Sequence, residues 1–246
     1  MLATVGCNGR QSTWDHIQQT GTLRVGLDPT YPPFEAADAN NVWGLDVDLA
    51  NALATELGLQ AQFVYFGYDG LYDALLTKQV DVLASALVVD ESRTRDFAFS
   101  EPYFNAGQIL IVPESEEGIT EMADLNGRIV AVELGSQGHV EALNWQRKVP
   151  NLQILPTNSP DEALTAVLEQ NAHAALTDAI SGRLFLSQHP NLKQLPGPVT
   201  VEPFALVVRK EDGQLLQHLN EALETIQNNG QLEIITAQWL DQENQR

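Results

Sequence analysis

The chain has 246 residues, 43% of them apolar, and 33 acidic against 13 basic side chains give a net charge of −20. That is enough apolar material for one large domain or two small ones and excludes a disordered or fibrous chain. The acidic balance argues against nucleic acid as a partner, because phosphate contacts need clustered Lys and Arg.

A single cysteine, Cys7, permits no intrachain disulfide and no cysteine-based metal site, and the five His have no ligand spacing. No cofactor or metal is expected. Residues 1–20 read as an N-terminal tether, and no apolar run reaches the 18 or so residues of a membrane span. From Leu23 short apolar runs alternate with amphipathic segments: strand 23–27, helix 45–57, strand 62–66, helix 70–79 and strand 80–85. Strand 109–112 follows, then strand 128–134, helix 138–147, strand 152–155, helix 160–171, strand 173–177, helix 179–188 and strand 204–208. Helices over 212–227 and 231–240 close the chain, with Gly230 between them. This is a βαβ rhythm in two series, each too short for a doubly wound domain of usual size. Ser159-Pro160-Asp161-Glu162 is a helix start, with Ser159 as N-cap and Glu162 reaching back to it.

Several residues follow strand ends, where an α/β protein exposes its chemistry. Arg93 comes shortly after an apolar strand; its fork of donors suits a carboxylate, a pair worth about 1.5–3 kcal/mol where water is excluded. A plain surface charge, as assigned to Arg95, is the other reading. Asp178 ends the apolar run 174–177 and either meets a cation or caps the next helix. Gly135-Ser136-Gln137-Gly138 leaves backbone N–H groups at a helix start, or is only a tight turn. Asp28, Tyr31, Phe34, Tyr68 and Asp69 lie on loops after strands, where aromatic walls with one acid suit a long polar or cationic group. Phe34 as a core residue and Asp69 as a helix cap are the structural alternatives. Glu133 would add a second acid or face solvent.

Three segments carry a resemblance: Leu23-Arg24-Val25-Gly26-Leu27-Asp28-Pro29-Thr30-Tyr31-Pro32-Pro33-Phe34-Glu35, Gly44-Leu45-Asp46-Val47-Asp48-Leu49-Ala50, and residues 81–104 around Asp90-Glu91-Ser92-Arg93. With Asp178 in order behind them, the chain from about 21 to about 240 resembles the family 3 extracellular solute-binding proteins, the polar amino acid receptors of ABC importers. The resemblance implies an α/β, two-lobed, periplasmic-binding-protein-like (type II) fold with two hinge strands and a ligand cleft between the lobes. Lobe 1 would be 21–106 plus 204–246, lobe 2 would be 108–202, and the hinge would lie near 106–112 and 202–208. It assigns Arg93 to the ligand's α-carboxylate, Asp178 to its α-ammonium, and the backbone of Ser85 and Ala86 to the head group. Ser136 and Gln137 would support the carboxylate. Two positions depart from the pattern: Val88 stands where Ser or Thr is usual and offers only its backbone N–H, and Gln137 replaces Thr.

The expected function is therefore a non-catalytic receptor that captures a polar L-amino acid by lobe closure and hands it to ABC permease subunits. Asp28 favours arginine or lysine, with glutamine next. The alternatives are a cyclohexadienyl dehydratase-like enzyme in the same fold, or a ligand-binding sensor domain. Ala3-Thr4-Val5-Gly6-Cys7 resembles the end of a bacterial lipoprotein signal, which would place a monomer at the periplasmic or extracellular face of the membrane, anchored by lipid on Cys7.

Overall fold

The structure, a computed structural model, describes residues 12–241. The tether reading for residues 1–11 and the lipid on Cys7 lie outside the described residues. Ten strands build the two main sheets: β1 (Thr22–Leu27), β2 (Gln60–Tyr65), β3 (Val82–Leu83), β4 (Phe97–Phe99), β5 (Gln108–Pro113), β6 (Ile129–Glu133), β7 (Gln153–Thr157), β8 (Ala174–Asp178), β9 (Leu192–Gln194) and β10 (Val207–Arg209). The helices are α1 (Thr13–Thr20), α2 (Leu45–Glu56), α3 (Leu71–Leu76), α4 (Gln137–Gln146), α5 (Pro160–Leu168), α6 (Ala179–Leu186), α7 (Gly213–Asn228) and α8 (Gln231–Leu240).

The chain divides into two compact units. Among the described residues, unit 1 comprises 12–103 and 205–235, and unit 2 comprises 104–204 and 236–241. Unit 1 holds a sheet of order β2-β1-β3-β10-β4, in which β1 runs parallel to β2 and β3 while β10 is antiparallel to β3 and β4. Its core sets Leu71, Leu75, Val80, Leu83, Leu87, Phe97 and Val207 together. A small three-stranded meander built on Thr30–Tyr31, Glu35–Ala37 and Val42–Trp43 leads into α2. Unit 2 repeats the arrangement with the order β7-β6-β8-β5-β9, where β6 is parallel to β7 and β8. Its core runs from Leu110 and Val112 through Val130 and Val132 to Leu176. Within unit 2 the short strands Phe104–Asn105 and Pro203–Phe204 pair antiparallel, so two of the three places where the chain changes unit lie side by side.

Four departures from the expected elements have physical causes. Residues 13–20 are not tether: Ser12 and Asp15 form a capping box at the start of α1, Ile17 is fully buried, and Trp14 stacks on His218 at 4.1 Å. Thr13 Oγ1 donates to Asp212 Oδ1 at 2.7 Å, and Asp212 pairs with the buried Arg209 at 2.6 Å. Arg209 also donates to the carbonyls of Leu75 and Val80, both at 2.8 Å, closing the loop before β3. The expected strand 80–85 is cut to Val82–Leu83 by a turn in which Ala86 takes φ +46°. The expected strand 204–208 is interrupted, with Pro203–Phe204 in unit 2 and Val207–Arg209 in unit 1. At the C-terminal end, residues 236–241 group with unit 2, where Arg183 Nε and Nη2 bind both oxygens of Asp241 at 2.8 and 2.6 Å. Ser159 caps α5 as its sequence predicts, although the Glu162 carboxylate accepts from Asn158 rather than from the cap residue.

If α1 belongs to the folded body, Ile17→Ala lowers the unfolding free energy by about 2–5 kcal/mol, the range for emptying a buried aliphatic site. Urea unfolding reads this, and an unchanged midpoint would place α1 outside the cooperative unit.

Candidate functional site

In unit 1 the carboxyl ends of β1, β2 and β3 lie at one edge because those three strands are parallel, with β1 in the middle. The loop after β1 is tied to both neighbours. Asp28 Oδ2 accepts the Tyr68 N–H from the loop after β2 at 2.8 Å. The Asp28 N–H donates to Ser85 Oγ from the loop after β3 at 3.0 Å. Asp28 Oδ1 accepts the Thr30 hydroxyl at 2.9 Å. The carboxylate expected to face a ligand side chain therefore also holds the loops together.

Behind these loops lies a pair of acids whose pairing the sequence reading did not foresee. Gly44, at φ +136°, lets the chain pass so close to Phe34 that a Cβ would lie 2.1 Å from the Phe34 carbonyl oxygen. The first N–H groups of α2, from Leu45 and Asp46, donate to the carbonyls of Pro33 and Phe34 at 3.0 and 2.9 Å. That crossing sets Glu35 and Asp46 against each other, with exposures of 1% and 0%. Glu35 Oε1 accepts the Ser85 hydroxyl at 2.6 Å, and Asp46 Oδ2 accepts the Ala86 N–H at 2.6 Å. Their remaining oxygens, Glu35 Oε2 and Asp46 Oδ1, are sealed from solvent and meet no fixed donor. Burial, and then the Asp46 charge, pushes the Glu35 carboxyl up to about 10. Burial also lifts Asp46, to about 6, against the pull of the Ala86 N–H. The buried Tyr103 hydroxyl beside Asp46 is raised well above the ordinary phenol range, first by desolvation and then by that acid's charge.

Arg93 lies in a single helical turn (Glu91–Arg93) that Asp90 caps. Its guanidinium lies 4.0 Å over the Tyr72 ring and its Nε faces Asp90 Oδ2 at 3.3 Å. Neither Nη group has a hydrogen bond among the described residues. Arg95 is exposed. Tyr31 and Tyr68 are 47% and 59% exposed, whereas Phe34 is fully buried and stacks with Tyr31 at 5.8 Å. The ring expected to wall a ligand is thus a core residue, because the close crossing at Gly44 draws its backbone inward. The Ala86 N–H, expected to reach a ligand, is occupied by Asp46. Asp69 is exposed and its side chain caps no helix. Val88 is half-buried.

Unit 2 presents the ends of β6 and β8, which are parallel neighbours. After β6, Ser136 caps α4: its hydroxyl donates to the Glu133 carbonyl at 2.8 Å and accepts the His139 N–H at 3.1 Å. Gly135 N–H goes to His139 Nδ1 and Ser136 N–H to Glu133 O, which leaves the amides of Gln137 and Gly138 as the free donors of the first turn. Gly138 packs closely there: a Cβ would lie 2.6 Å from the movable Gln108 Oε1 and 3.0 Å from the Leu176 carbonyl oxygen. After β8, Asp178 caps α6, its Oδ1 accepting the Ser181 N–H at 2.8 Å. Its second oxygen has no partner among the described residues.

A family model for bacterial extracellular solute-binding proteins, family 3, matches residues 23–242. The chain belongs to that family. A probable amino-acid ABC transporter-binding protein of Haemophilus influenzae is 28% identical over 92% of this chain and 87% of its own length. The arginine-binding extracellular protein ArtP of Bacillus subtilis is 27% identical over 88% and 85%. Among solved structures, the L-cystine solute receptor of Neisseria gonorrhoeae superposes with a TM-score of 0.81 at 25% identity, covering 94% of this chain and 97% of that one. An ancestral cyclohexadienyl dehydratase gives 0.80 at 26%, covering 93% and 96%. The fold is thus mixed α/β with two-lobed solute-binding proteins as neighbours, and the names of the relatives are those of binding proteins rather than enzymes. Among the described residues no helix is long and apolar enough to cross a membrane.

The buried acid gives a stability prediction. Glu35 holds its proton in the folded chain and loses it near pH 4 when unfolded. The unfolded state therefore binds fewer protons through neutral pH, and this group's contribution to stability falls as pH rises from about 4 towards 10. Thermal unfolding of ligand-free protein between pH 6 and 9 should show that decline, and Glu35→Gln should flatten it. An equal slope in both proteins would mean that Glu35 is ionised in the fold.

Proposed function

We propose that the protein is the receptor subunit of an ABC importer and takes up a polar L-amino acid, with Arg93 binding the α-carboxylate and Asp178 the α-ammonium. The observation that carries this reading is the state of Arg93. Its guanidinium is stacked on Tyr72 and steadied by Asp90, with both Nη groups free to form a fork with a carboxylate. Asp178 supports it from unit 2, having one uncommitted oxygen at a strand end. The amides of Gln137 and Gly138 at the start of α4 add donors for the same carboxylate. Opposite charges on the two units match a zwitterion's head, and both are compensated only when a ligand engages the two units together, so binding and closure form one event. Closure would turn about the paired segments 104–105 and 203–204.

For the side chain we favour a basic amino acid, arginine or lysine, with glutamine next. The support is Asp28 beside the exposed rings of Tyr31 and Tyr68, together with an arginine-binding relative. The family's designation as extracellular supports a site of action outside the cytoplasmic membrane, with permease subunits as the partner. The second reading, a dehydratase, has the structural neighbour in its favour. It needs a carboxylic acid aimed at a leaving hydroxyl, and the protonated acid here, Glu35, is sealed beneath the loops.

A thermal-shift screen of ligand-stripped protein against the twenty L-amino acids and prephenate separates these readings. A ligand at about 100 times its dissociation constant adds about 2.7 kcal/mol to the folded state. A rise with one or a few amino acids supports the receptor, turnover of prephenate supports the enzyme, and silence from every amino acid overturns the receptor reading. Arg93→Ala should weaken every amino acid that binds by about ten- to a hundredfold, the loss of a charged hydrogen-bonded pair of about 1.5–3 kcal/mol. Asp28→Asn should reorder the ligand series in titration calorimetry. An equal loss across the series would reduce Asp28 to holding the loops.

A further inference from the structure

We propose that Glu35 and Asp46 act as a one-proton latch that positions the ligand loops of unit 1, competent for binding only while the two carboxyls share a single proton. Glu35 and Asp46 are therefore positioning residues, and a second proton, taken up on the acid side of neutrality, releases the ligand. The inference rests on the receptor reading for its ligand and on unit 1 alone for its geometry.

The argument is a count of donors and acceptors. The outer oxygens are committed: Glu35 Oε1 to the Ser85 hydroxyl and Asp46 Oδ2 to the Ala86 N–H. The inner oxygens, Glu35 Oε2 and Asp46 Oδ1, are buried without a fixed donor, and the two carboxyls and the Tyr103 hydroxyl lie within interacting range of one another. One proton between them satisfies both. With no proton, two buried anions face each other without a basic side chain paired to either among the described residues. With two protons Asp46 is neutral: the Ala86 N–H loses its ionised acceptor, so that a charge-assisted bond becomes a neutral one, while the extra O–H turns to the Tyr103 hydroxyl. The titratable groups facing the pair are Asp28 from the loop after β1 and Tyr103 from the end of unit 1, neither of which is a cation.

Each outer contact leads to the ligand loops. Ser85, while donating to Glu35, accepts the Asp28 N–H, and Asp28 in turn accepts the Tyr68 N–H. Asp46 holds Ala86 at φ +46°, a left-handed conformation disfavoured for a residue with a Cβ, at the turn from which the chain runs on to Arg93. Disturbing the pair thus loosens both the side-chain wall and the strand end behind the carboxylate fork.

The test uses wild type, Glu35→Gln and Asp46→Asn. In the Glu35→Gln variant the new amide keeps an acceptor for Ser85 and offers a permanent donor to Asp46. In the Asp46→Asn variant the new amide keeps an acceptor for the Ala86 N–H and donates to an ionised Glu35. Both hold the one-proton arrangement without a titrating proton. Isothermal titration with the best amino acid from the screen should show wild-type affinity falling about tenfold from pH 7 to pH 5, as one proton is taken up per molecule. Both variants should bind comparably at pH 7 and change by less than about threefold over the same range. A wild-type change no larger than that of the variants overturns the latch while leaving the receptor reading intact. A readout without ligand separates the two ideas: in wild type the backbone amide resonances of Asp28, Tyr68 and Ala86 should shift together with one midpoint below neutrality, and in both variants they should stay put. Amides that titrate separately, or equally in the variants, overturn the latch whatever the ligand proves to be.

Discussion

A sheet made of buried parallel strands can offer polar groups only where its strands stop. The loop contacts of both units obey that constraint. In unit 1 the ends of β1, β2 and β3 fall on one edge, and the central loop, through the Asp28 carboxylate and N–H, fastens the loops on either side. In unit 2 the ends of β6 and β8 do the same with two capped helix starts, so that Ser136 and Asp178 come from neighbouring strands. Neutral hydrogen bonds of this kind contribute about 1 kcal/mol each, and those to a charged group about 1.5–3. Several between loops of otherwise unrelated sequence are what turn three flexible connections into one surface.

The opposite edge of unit 1 has a different task. There the buried Arg209 binds two carbonyls and Asp212, and Asp212 takes the hydroxyl of Thr13 from α1. A guanidinium with this little access to water is tolerable because its donors are met on several sides; removal of Asp212 would leave a buried cation with neutral partners only. That anchor lies where the strands begin, away from the loops that Asp28 ties together.

The alternation of apolar runs and amphipathic helices was enough to read the α/β fold in two series, and the capping residues Ser159 and Asp178 could be located from pattern alone. The resemblance carried by residues 23–35, 44–50 and 81–104 named the family correctly. Features decided by tertiary contact were not legible. Residues 13–20 look polar, and only the burial of Ile17 and the stack of Trp14 on His218 make them a helix of the fold. Phe34 has the composition of a ligand wall but is drawn inside by the crossing at Gly44. The partnership of Glu35 with Asp46 spans a meander and a helix start, so no local period reports it. The one signal in the sequence was an acid beside an aromatic ahead of Gly-Leu-Asp, which the family motif absorbs without explaining.

The placing of α1 also decides how the molecule can be handled. Its first residues lie beside Asp212, just past the end of β10, and β10 runs antiparallel to β3, so that corner lies at the edge where β1 and β3 begin. The start of α1 thus lies at the edge of unit 1 away from Asp28, Tyr68 and Ala86. A dye or a surface linkage placed at the start of α1 would therefore sit away from the strand-end loops of unit 1.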